Sequence, residues 1–174
     1  SLTELSLPTT LRDISGSYVF SGIGITELVL PDGLQDISGD HIFSNCDALS
    51  SLELPKDLEL ISGSWNFART SIEKLTLPVM LQEIQGEDNF YACEKIQLPA
   101  SLIKLNSGTF SGCSELKHIE IPEKVTSIGS SCFAGCENLT ELELPVELQA
   151  IGASCFAGCN GLEAINLPVG LQSI

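Results

Sequence analysis

Eight prolines stand at one place in a repeat of about 23 residues: Pro8, Pro31, Pro55, Pro78, Pro99, Pro122, Pro145 and Pro168, with gaps of 21 to 24. A fixed period in this range specifies a solenoid, because each repeat is a unit too small to bury its own apolar side. The columns around the prolines admit no polar exception. Three residues before them stand Leu5, Leu28, Leu52, Leu75, Ile96, Ile119, Leu142 and Ile165, and one residue before them leucine or isoleucine again. Three after them stand Leu11, Leu34, Leu58, Leu81, Leu102, Val125, Leu148 and Leu171. Six after them stand Ile14, Ile37, Ile61, Ile84, Leu105, Ile128, Ile151 and Ile174.

The spacing dictates local structure. In Leu-Ser-Leu-Pro (5–8) the apolar residues alternate, so one face of a short strand is buried. Proline ends the strand, since it lacks an amide donor and fixes its own φ. Each coil then closes through a phenylalanine segment, as in Phe133-Ala-Gly-Cys136, whose spacing suits a helical turn. The expected architecture is mainly β: one parallel sheet of about eight short strands on the concave side, with short helical turns and extended segments on the other.

The repeat L-x-x-L-x-L-P-x-x-L-x-x-I-G-x-x-x-F-x-x-C resembles the BspA-type leucine-rich repeat of bacterial surface proteins. The resemblance runs from Leu2 to Ile174 and is clearest in Ile128–Cys136 and Ile151–Cys159. Repeats one to four depart from it. They carry Ile-x-Gly-x-x-x-Phe, with 12 positions from proline to phenylalanine where later repeats have 11. A change in coil geometry is expected near residues 86–108. Residues 1–174 read as one domain of about seven and a half repeats. Both ends fall inside the repeat pattern without capping repeats, so a piece of a longer protein, with end-to-end self-association of its open coils, is expected.

Composition excludes several classes of partner. With 23 acidic against 8 basic residues and a net charge of −15, the chain is a poor match for nucleic acid or an anionic membrane surface. No apolar run is long enough for a transmembrane helix. Among the seven cysteines, Cys46, Cys93, Cys113, Cys136 and Cys159 share a column with Ile23 and Thr70, while Cys132 and Cys155 share one with Val19 and Ile42. A slot that accepts isoleucine or valine is small and apolar, so reduced, buried thiols are expected, with no metal and no cofactor. No nucleophile, dinucleotide or phosphate-binding motif is present, and Glu141 and Glu143 lie two apart on one exposed face. The chain reads as a non-enzyme.

Two exposed surfaces are candidate sites. On the strand face, Lys74, Lys95 and His118 form a basic centre flanked by acids. The second surface lies two residues before each phenylalanine, where Tyr18, His41 and Trp65 occupy one column. Three large rings pointing outward at rung spacing could stack against sugar faces or clamp an apolar side chain. The resemblance implies a cell-surface or secreted binding module that engages a protein or glycan in adhesion. The alternative is an architectural spacer that displays another domain.

Overall fold

The computed structural model describes residues 2, 4–72, 75–81, 83–91, 93 and 95–174. Its strands are β1 (Asp13–Ser15), β2 (Glu27–Val29), β3 (Asp36–Ser38), β4 (Ser51–Glu53), β5 (Leu60–Ser62), β6 (Leu75–Thr76), β7 (Glu83–Ile84), β8 (Ile96–Gln97), β9 (Lys104–Leu105), β10 (Ser127–Ile128) and β11 (Ala150–Ile151). They form the expected parallel β-solenoid. Seven of them make one sheet in the order β1-β3-β5-β7-β9-β10-β11. Register follows the repeat, with Ile14 opposite Ile37, Ile37 opposite Ile61, Ile61 opposite Ile84 and Ile84 opposite Leu105.

Two details differ from the sequence reading. The long sheet lies after the prolines, on the Leu-x-x-Ile segment. Among the described residues, the segment before the prolines makes two short pairs, β2-β4 and β6-β8, and a single bridge between His118 and Glu141. Leu5, Leu28 and Leu52 still point inward, but Leu5 lies outside any strand and proline limits those of Leu28 and Leu52 to three residues. Every proline carbonyl then accepts a bond from the amide three residues on, from Leu11 N–H at 3.0 Å to Leu171 N–H at 3.1 Å. That turn delivers the chain into the long sheet.

The second difference is that the phenylalanine segments are stacked turns and not helical turns; no helix occurs among the described residues. Their alternate amides bond along the solenoid axis. Tyr18, Phe20 and Gly22 donate to the carbonyls of Asp40, Ile42 and Ser44 at 2.9, 2.8 and 2.9 Å, and later coils repeat the pattern. Directing these amides one way requires left-handed backbone at the flanking residues. Tyr18, His41, Trp65, Asp88, Gly108, Ser131 and Ser154 all have φ between 52° and 63°.

The core is a set of side-chain ladders. Phe20, Phe43, Phe67, Phe90, Phe110, Phe133 and Phe156 stack at centroid distances of 5.3 to 6.0 Å. The five inner rings are fully buried. The longer early coils fit through glycine. Gly16, Gly39, Gly63 and Gly86 have φ from 90° to 129°, and a Cβ on Gly39 would meet the carbonyl of Gly16. Beyond residue 108 the corresponding Gly129 and Gly152 leave the left-handed region, which places the expected change of coil geometry at the fifth repeat.

Candidate functional site

Tyr18, His41 and Trp65 meet in one outward stack. The Tyr18 and His41 rings are 4.6 Å apart and 6° from parallel, and His41 and Trp65 are 5.9 Å apart at 15°. Tyr18 is 61% exposed, while His41 and Trp65 are half-buried by one another. Because the rings face each other along the axis, their broad faces are occupied. What the column turns to solvent is ring edges, with the outer face of Tyr18 at its end. Stacking of a sugar against successive ring faces, expected from the spacing, is therefore limited to Tyr18.

The stack continues beyond the expected residues. Trp65 meets Tyr91 at 5.2 Å, tilted by 42°, and the Arg69 guanidinium lies 5.7 Å over the Tyr91 ring. Beside it a cavity of about 380 Å³ is lined by His41, Ser44, Asn45, Trp65, Ala68 and Arg69. Asn45 and Arg69 stand two residues after a phenylalanine and also have left-handed φ, 55° and 54°. Elsewhere that column is Gly22, Ala92, Gly112, Gly135 and Gly158. Four of the six lining residues thus place large or polar side chains on backbone that disfavours them, at about 1 kcal/mol or more each. The sequence held part of this signal: in the column of Asn45 and Arg69, where most repeats use glycine, a different residue marks an investment of stability.

The strand-face candidate is described in part. Lys74 lies outside the described residues. Lys95 is exposed on the edge of β8, and no hydrogen bond or ion pair links it to His118. His118 is 57% exposed and has a carboxylate oxygen of Glu120 at 3.9 Å; its backbone bridges to Glu141 in the next coil. The surface around it, lined by Glu120, Glu123, Lys124 and Glu143, is open and mostly acidic.

All seven thiols are free, and six are buried. Burial pushes Cys93, Cys136 and Cys155 up to about 12 and raises Cys46, Cys132 and Cys159 as well. Such thiols are poor nucleophiles and poor metal ligands. They have a different use. The Sγ of Cys46, Cys113, Cys136 and Cys159 each donates to the carbonyl of the preceding coil's phenylalanine at 2.9 to 3.3 Å.

The whole chain matches the BspA type leucine rich repeat region (6 copies), over residues 1–97 and 86–174. No curated protein matches it. Among solved structures it is similar to a leucine-rich repeat protein of T. pallidum at 29% identity and a TM-score of 0.72, covering 90% of this chain and 76% of that one. It resembles the pneumococcal vaccine antigen PcpA at 25% identity and a TM-score of 0.58, over 94% of this chain and 50% of that one. It shares its fold with a leucine rich cell surface protein of Faecalibacterium prausnitzii at 24% identity and a TM-score of 0.64, over 94% of this chain and 53% of that one. The chain thus spans about half the length of the last two.

Proposed function

The chain belongs to the BspA-type leucine-rich repeat family, and from that premise we propose that it is a non-catalytic binding module of a cell-surface or secreted protein. As a single solenoid domain it engages a protein or glycan partner, in the manner of an adhesin, through the Tyr18–His41–Trp65 column. The observation that carries this reading is the column's backbone. Three large rings sit at φ near 60° and are held in register, in a position that Gly108 fills without strain. Interfaces concentrate their binding energy in aromatic anchors, and strained backbone gathers where ligands are clamped. A surface location is supported by the neighbours described as a cell surface protein and a vaccine antigen. No helix among the described residues is long and apolar enough to cross a membrane.

An array of glycans and extracellular-matrix proteins tests the proposal. A binding module gives saturable capture on a defined subset, competed by free ligand. A spacer gives none, and that result would favour the architectural alternative.

A further inference from the structure

We infer that the cavity beside Trp65 is a subsite for a carboxylate-bearing sugar residue, of the uronic acid type, within a glycan partner; this rests on the binding function proposed above. Two independent observations lead there. The first is charge. The chain carries 23 acidic residues, and four other surface cavities each include at least one glutamate, yet among the described residues no carboxylate lines this one. It holds a guanidinium instead, and Arg69 forms no ion pair among the described residues. Its planar fork fits a carboxylate through two parallel N–H bonds.

The second observation is the surplus of donors. The side chains of Trp65, His41 and Arg69 make no hydrogen bond among the described residues, and the Asn45 amide spends one N–H on a long 3.4 Å contact to Ser44. Trp65 and His41 also turn ring edges outward, the electropositive part of an aromatic ring. Asn45 can both donate and accept, as a hydroxylated ring requires, while the buried Ser44 hydroxyl is spent on the His41 carbonyl. Ala68 is the only aliphatic residue in the lining among the described residues, so the stem of an acidic peptide side chain would find little to pack against.

Trp65 is the only tryptophan, so its fluorescence reports on this cavity alone. Titration with hexagalacturonate should give a saturable change that weakens as salt is raised. Maltohexaose, of equal length and neutral, should bind about tenfold or more weakly, the worth of one charge-assisted contact. Arg69→Gly should abolish that preference without lowering Tm, because glycine is the residue that other coils use there. Equal affinity for both sugars, or an unchanged preference in Arg69→Gly, would overturn the subsite while leaving the binding module intact. So would hexaglutamate binding as tightly as hexagalacturonate, or a partner array answering only to proteins. Silence on every array surface would instead defeat the binding function itself.

Discussion

The thiol of Cys136 donates a hydrogen bond of 3.3 Å to the carbonyl of Phe110, which belongs to the preceding coil. The cysteine column thus packs and also hydrogen-bonds. Each thiol fills a small slot and gives a phenylalanine carbonyl a donor from the next coil, a second one at Phe110, whose carbonyl also accepts from the Cys113 amide at 3.2 Å. Cys136→Ala removes volume and donor together and should cost about 2 kcal/mol in urea denaturation. Cys136→Thr, the residue type at Thr70, should cost less. Equal losses for the two would show that the hydrogen bond contributes little.

Buried thiols also give stability a sign with pH. Cys93, Cys136 and Cys155 are raised from 9.0 to about 12 because burial disfavours the thiolate. The unfolded chain therefore releases these protons first. Their contribution is complete below pH 9 and is lost as pH climbs from 9 towards 12. Urea midpoints should hold level from pH 7 to 8.5 and fall above pH 9, less steeply in Cys136→Thr. Alkylation at pH 8 should reach half-buried Cys159 first and the other six only with denaturant.

Gly39 tests the geometry of the early coils. Its φ of 129° and its contact with the Gly16 carbonyl leave no room for a side chain. Gly39→Ala should lose about 2–3 kcal/mol or fail to fold. Gly170, whose added Cβ would meet only the Val146 carbonyl at an ordinary 3.8 Å, should accept alanine with a change under about 0.5 kcal/mol. Similar costs at both positions would contradict the assigned backbone.

The solenoid was legible because proline, leucine, isoleucine and phenylalanine recur in register, and burial leaves those columns little choice. Position within the coil was harder. The strand pattern before proline reads as the main sheet, but only the hydrogen-bond register shows that the continuous sheet lies after it. Nor does spacing distinguish a helical turn from stacked turns, since both bring Phe133 and Cys136 to the interior. Tyr18, His41 and Trp65 could be named as a column, whereas Arg69 and Asn45 were hidden because their column was read without its glycines.

Asn66 and Asn89 went unread for another reason: in sequence they look like loop residues, yet both are fully buried. Asn89 Oδ1 accepts from the Asn66 amide at 3.1 Å, and its Nδ2 donates to the carbonyls of Gly63 and Gln85 at 2.9 and 3.1 Å. They bridge the longer coils where backbone alone leaves groups unpaired. Asn89→Leu should destabilise by about 3 kcal/mol, and a neutral effect in urea denaturation would show that these groups find other partners.

Trp65→Gly examines the binding site most directly, because Gly108 fills the equivalent place and glycine relieves the left-handed strain that alanine would keep. Affinity for the partner found on the array and thermal stability are measured on the same variant. The expected result is at least about a tenfold loss of affinity with Tm shifted by no more than about 3 °C. A Tm that falls by about 8 °C or more while affinity per folded molecule is unchanged would make Trp65 a packing residue and contradict the site.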